Sequence, residues 1–334
     1  MYNSSWAPTN ETSYQIFTED TWLQGALLSN IAYGVELALF AMCFHLLVKQ
    51  MNHRNKTRQI CLLSFISILF VLGTTFVGGN MKFAQQAFVE YRNFPGGPAA
   101  FVQAMFTDPV DELANISWVV GNWLMDTFLV WRFVVIYKDT VKQWLWALLL
   151  LPCLMLLASV ALGTAALVSI TGSSPFAFVN LTLAYYVMSL SLNVIVTLLI
   201  AGRLLIFRYR IQKTMGGQHT STYSNIIAIL VESASLYSVF AVLFIVPFGL
   251  GNPVGNIFLQ VVNQVQTVSS LLIIFRVATG TAWSGNTATR ITDRSASQSI
   301  RLPQISDMAF PGDEDFLGHK QLLSAEYRNQ GVKT

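Results

Sequence analysis

Charge is what this sequence has least of. Of its 334 residues 11% are Asp, Glu, Lys or Arg, whereas 53% are hydrophobic. Soluble globular domains carry about 25% charged residues. Together with a mean hydropathy of +0.51, the deficit excludes an ordinary soluble domain and points to an integral membrane protein. Cysteine is nearly missing: Cys43, Cys61 and Cys153 all lie inside long apolar runs, so no disulfide framework can brace an outer loop. Histidine is as scarce. His45, His53, His219 and His319 are scattered, with no H-E-x-x-H and no metal-ligand spacing, which argues against a metal site and a zinc-dependent hydrolase. The Gly pairs at 78–79, 96–97 and 216–217 lack the Lys and Ser/Thr of a phosphate loop. No Ser or Cys has a His base near it in sequence. We therefore expect no cofactor and no enzymatic activity.

What is present is apolar length. Seven runs near the ~20 residues that cross a bilayer as a helix fall at about 22–48, 59–77, 113–137, 144–170, 181–207, 225–250 and 256–278. The expected fold is an all-α, polytopic seven-helix membrane bundle over 22–280, preceded by a tail of residues 1–21. The first 21 residues hold no Lys or Arg, and the linkers at 171–180 and 251–255 hold no charge. The alternate linkers carry Lys49, Arg54, Lys56 and Arg58, then Lys138 and Lys142, then Arg208, Arg210 and Lys213. The positive-inside rule thus places the N-terminus outside and the C-terminus in the cytoplasm. There is no basic n-region followed by a short apolar core, so no cleaved signal is expected and the first span should serve as insertion signal. The net charge of +3 sits beside the inner leaflet and gives no reason to expect nucleic acid. Sequons at Asn3 and Asn10 suit glycosylation of an outer tail, and a plasma-membrane location is expected. From 281 to 334 the chain is polar and aperiodic, which predicts a disordered cytoplasmic tail; Ser295, Ser297 and Ser299 beside Arg294 form a weak candidate phosphorylation cluster.

The long outer loop, 80–112, has content. "MKFAQQAFVEYR" spaces Met81, Ala84, Phe88 and Tyr91 as an amphipathic stripe, "FPGGP" breaks the chain, and "DPVDE" supplies an Asp108 cap, Pro109 and first-turn acids for the third span. This loop is either a lid over a cavity or a short helix resting on headgroups; the second is the expectation.

Polar residues inside spans are costly and usually face the bundle interior. They line up here. The third span offers Asn115, Trp118, Asn122 and Asp126; the fifth Tyr186, Ser189, Asn193 and Thr197; the seventh Gln260, Asn263, Gln264, Thr267 and Ser270. The first adds Ser29, Tyr33 and Glu36, and the sixth Glu232, Ser235 and Ser238. The fourth, "WLWALLLLPCLMLLASVALG", has almost nothing polar and should face lipid. Interhelical polar pairs alone contribute about 0.6 kcal/mol each, and mutual satisfaction explains scattered Ser and Asn better than it explains whole stripes with two carboxylates. The expectation is a ligand-holding cavity in the outer half, lined by Tyr33, Glu36, Asn122, Asp126, Tyr186, Asn193, Tyr237, Gln260, Asn263 and Gln264. Arg132 and Glu232 fall at similar depth in the inner half, which predicts an ion pair joining the third and sixth spans, as static glue or as a switch. Arg208, Arg210 and Lys213 would then form a cytoplasmic face for an acidic partner or anionic lipid.

Seven spans, an outer N-terminus and basic inner loops resemble the architecture of G-protein-coupled receptors, which implies a small-molecule or peptide ligand and a heterotrimeric G protein or other cytoplasmic partner. The best-known receptor signatures are missing: "VWRF" has no acid before Arg132, "SSLLIIFRVATG" has no N-P-x-x-Y, and the seventh span has no Lys for retinal. Four stretches, "DTFLVWRFVVIY", "LNVIVTLLIAGRLL", "IIAILVESASLYSVF" and "QVQTVSSLLIIFRVATG", together resemble a group of uncharacterised seven-helix membrane proteins abundant in basidiomycete fungi, over about residues 20–280. In that pattern a Cys often follows the third-span Arg and a Pro sits in the seventh span; here Phe133 and Val268-Ser269-Ser270 stand there. The resemblance implies a fold and no settled activity. Two functions stay open beside a membrane organiser: a receptor-like sensor, and a proton-coupled carrier that titrates Asp126, Glu36 and Glu232.

Overall fold

The computed structural model describes residues 11–51, 56–105, 108–137, 145–172, 179–215 and 221–294. Eight α-helices follow one another: α1 Ser13–Lys49, α2 Lys56–Gln85, α3 Gly97–Ala104, α4 Pro109–Tyr137, α5 Leu145–Gly172, α6 Val179–Met215, α7 Ser221–Gly249 and α8 Gly255–Arg294. No strand occurs among the described residues. Seven of these helices, all but α3, are long and apolar enough to cross a membrane, as an integral multi-pass protein requires. Leu27, Ile31, Val71, Leu157, Val168 and Leu198 are all more than half exposed, an outward apolar skin of the kind that lipid covers. The chain divides into two units, Met1–Thr279 and Gly280–Thr334. The first is the bundle; in the second, residues 280–294 are helical.

Several ends differ from the hydropathy reading. α1 starts at Ser13 rather than near 22, because Thr12 and Gln15 form a capping box: each side chain caps the other's backbone N–H. α2 continues to Gln85 and through a π-turn, Gln86–Glu90, instead of stopping near 77. The first helical turns of the second unit replace the disorder expected from 281; 295–334 lie outside the described residues. The start of α4 is as expected. Asp108 Oδ1 accepts the Val110 N–H at 2.9 Å, Pro109 occupies the first position, and Asp111 and Glu112 face the positive end of the helix.

Neighbouring helices pack in the order α1, α2, α4, α5, α6, α7, with α4 also against α6. α8 lies between them: every residue from Gln260 to Ser269 is buried. Side-chain to carbonyl ties link it to α1, from Gln260 Nε2 donating to Trp22 O at 3.0 Å to Gln50 Nε2 donating to Ala278 O at 2.9 Å. α5 is the opposite, a largely exposed stave.

Candidate functional site

The polar residues inside the bundle converge on Asp126. Its carboxylate accepts from Ser159 Oγ at 3.2 Å, from Ser189 Oγ at 3.3 Å and from Gln266 Nε2 at 3.3 Å. Ser189 Oγ in turn lies 3.3 Å from the Tyr237 hydroxyl. One turn along α4, Asn122 Nδ2 donates to the Tyr185 hydroxyl at 2.9 Å. Asp126 of α4 is 1% exposed; neutral donors join it to α5, α6 and α8, and Ser189 extends the junction to Tyr237 of α7. Three donors occupy its acceptor sites, at lengths in the weaker part of the hydrogen-bond range.

This hub contains Asn122, Asp126 and Tyr237 from the expected cavity, but it is packed shut. It recruits four residues that sequence reasoning left out of the site: Ser159, Ser189, Gln266 and Tyr185. Ser159 is the single buried polar side chain of α5 among those described, so the lipid-facing expectation for that span holds for most of it and fails there. Gln266 lies off the Gln260–Asn263–Gln264 stripe. It was hidden because α8 is buried all round, so no one face is the inner one. Tyr185, not Tyr186, holds Asn122; Tyr186 is buried with its hydroxyl unpartnered.

The remaining expected lining residues scatter. Tyr33 is no lining residue: its hydroxyl pairs with Thr74 Oγ1 at 2.9 Å and its ring stacks on Phe70, on the α1–α2 seam. Glu36 is 0% exposed and neither carboxylate oxygen has a hydrogen-bond partner. It faces Gly73 of α2, where a Cβ would stand 2.5 Å from Oε1, so any larger residue there would force the carboxylate to shift. Gln260 ties α8 to Trp22 as above. Asn263 and Gln264 are buried with side-chain polar atoms unpartnered.

The expected ion pair is not made. Glu232 is exposed, and Lys82–Glu90 is the pair found among the described residues. Arg132 lies with its guanidinium 5.7 Å from the Phe128 ring and lines a small inner cavity with Asn193, Thr197, Ser233 and Gln266. The reason is azimuth: Ser233 and Leu230 face that cavity, and Glu232, a helical step of about 100° away, points outward. Of the proposed cytoplasmic face, Arg208, Arg210 and Lys213 belong to α6, but their side chains lie outside the described ones, as do Asn3, Asn10, Ser295, Ser297 and Ser299.

The larger cavity, about 260 Å³, opens at the end of the bundle where α1 begins. Tyr14, Thr18, Glu19 and Trp22 of α1 form one wall, Asn252, Pro253 and Asn256 of the α7–α8 turn another, and Phe88, Pro98, Ala99 and Val102 the roof. None of the ten expected lining residues borders it. Its roof is the loop for which a lid and an interfacial helix stood as alternatives. α3 buries Pro98, Ala99, Phe101 and Val102 against Trp22, Phe83 and Ala87, so it covers the mouth. The Met81–Tyr91 stripe holds in its middle and fails at its ends: Ala84 is buried and Phe88 packs against the cluster, but Met81 and Tyr91 are exposed, while Phe83 and Ala87 supply the other inward side chains. α3 is anchored by Glu19, whose carboxylate accepts the Ala99 N–H at 3.2 Å at the positive end of the helix.

The sequence matches no protein-family model and no curated protein.

Proposed function

We propose that this chain is a receptor-like membrane protein that senses a small ligand at the mouth of the bundle and passes the occupancy inward through the Asp126 hub to a cytoplasmic partner. The observation that carries the reading is the pairing of a roofed cavity at one end with a shut, five-helix polar junction beneath it. A ligand that pulls on Trp22 or Asn256 moves α1 against α8, and Gln266 of α8 bonds Asp126. The N-terminus outside, the plasma membrane and membership of the fungal seven-helix group belong to this reading, and the last makes a fungal heterotrimeric G protein the first partner to try.

A second reading is a proton-coupled carrier. Glu36 supports it, because a fully buried carboxylate without a partner is costly unless protonated or functional.

The test is sided accessibility in a chain cleared of Cys43, Cys61 and Cys153. Val102→Cys and Ser189→Cys are labelled with a membrane-impermeant maleimide from either face of sealed vesicles. The sensor reading expects Cys at 102 to react from the N-terminal side, and Cys at 189 to react from that side alone or not at all. Labelling at 189 from both sides would replace the sensor by the carrier.

A further inference from the structure

We infer that the mouth cavity binds a small organic cation, an amine or quaternary ammonium, held between the Glu19 carboxylate and an aromatic wall. The inference rests on the sensing role proposed for the mouth and gives its ligand class.

The wall is aromatic on three sides. Tyr14 and Trp22 come from α1, Phe88 from the π-turn and Phe248 from α7. Ring faces attract a cation through their quadrupole, most of all when water is excluded, and cages of such rings are the usual solution for quaternary ammonium. The volume of about 260 Å³ lies at the lower limit for ligand pockets, which suits a few heavy atoms rather than a peptide.

Charge has the matching sign. Glu19 lines the cavity, and its Oε1 bonds the Ala99 N–H. Glu11 approaches the same spot. Oε1 of Glu11 and Oε1 of Glu19 lie 2.6 and 3.0 Å from the point a Gly97 Cβ would occupy, and Glu11 Oε2 is buried without a partner. Two carboxylates are therefore held together, which is unfavourable without a cation. Asp20 adds to the negative field; Arg92 opposes it through space but makes no ion pair with Glu19. Gly97 makes the crowding feasible: with no Cβ it leaves room for both acids, and at φ +78° it adopts a left-handed backbone that other residues avoid.

The experiment is calorimetric titration of the full chain in lipid nanodiscs with choline and with dimethylbutanol, its uncharged carbon isostere. Wild type should bind choline at least roughly tenfold more tightly than the alcohol. Glu19→Gln keeps an acceptor for the Ala99 N–H, so α3 stays capped; it should weaken choline about tenfold and leave the alcohol unchanged. Phe88→Leu, which keeps bulk without a ring face, should also weaken choline selectively. Equal binding of the two probes, or choline affinity indifferent to Glu19→Gln, would overturn the cation and leave a sensor of uncharged ligands. A wild type that does not bind choline at all would overturn the cation too, and the sided labelling of Cys at 102 and 189 then judges the sensor on its own.

Discussion

The hub and the mouth divide the polar residues of this protein between two physical tasks. At the hub Ser159, Ser189 and Gln266 spend their donors on Asp126, and side chains of four helices meet at one carboxylate. At the mouth, aromatic and polar groups border open space, and Glu19 spends one oxygen on a helix end. The residues that stand out in an apolar sequence mark where helices meet. The residues that border a ligand-sized space sit at helix ends, where polarity is unremarkable. Polarity in a membrane span is evidence of contact before it is evidence of binding.

If that division is right, the largest loss of stability comes from the hub. Asp126→Ala leaves Ser159, Ser189 and Gln266 without their acceptor, at about 1–3 kcal/mol for each orphaned buried group; thermal melting in detergent should show the steepest fall of any variant named here. Asp126→Asn keeps an acceptor and should melt closer to wild type. Equal melting for Asp126→Ala and Glu19→Gln would erase the contrast between the two regions.

A second, smaller effect is expected at Gly73. The Cβ of Gly73→Ala meets Glu36 Oε1, an overpacking cost of roughly 1–3 kcal/mol. Adding Glu36→Ala should recover part of it, so the double mutant should be more stable than the sum of the singles. Strict additivity would mean that Glu36 swings clear and does not occupy that seat.

At the mouth, Gly97→Ala should loosen α3 rather than unfold the bundle. A left-handed backbone costs a residue with a Cβ roughly 1–2 kcal/mol. Hydrogen exchange should therefore quicken at the Ala99 amide and stay slow across α8. Quickening in α8 as well would show that roof and bundle open together.

The smallest effect tests the pair that was expected. In a double-mutant cycle on Arg132→Gln and Glu232→Gln, coupling should stay within about 0.3–0.5 kcal/mol, the range for residues that do not interact. A larger coupling would restore the ion pair between α4 and α7.

Much of the fold was legible and much of the site was not, for one reason. Hydropathy gives depth along a span. It gives azimuth only when one face differs from the other. The seven spans follow from length, and Asp108-Pro109 marks the start of α4 by local chemistry that needs no tertiary context. α8 is buried all round, so its Gln260–Asn263–Gln264 stripe suggested one inner face where there is none, and Gln266 went unseen. Glu232 and Arg132 matched in depth and missed in azimuth. The mouth was lost at a boundary. Starting the first span at 22 cut Tyr14, Thr18 and Glu19 from it, although "TSYQ" at 12–15 carries the capping-box pattern that fixes where α1 begins.

The burial of α8 has a consequence for the order in which the molecule is made. The other six spans precede α8 in the chain, yet its span is the most buried of the seven. Until it inserts, Asp126 lacks Gln266, Trp22 O lacks Gln260, and the bundle carries a polar slot open to lipid. The finished core therefore waits for α8 to insert. Nonsense or frameshift lesions between residues 250 and 269 should therefore deliver an unassembled chain to membrane quality control, and a separately expressed α8 is the fragment to supply in trans.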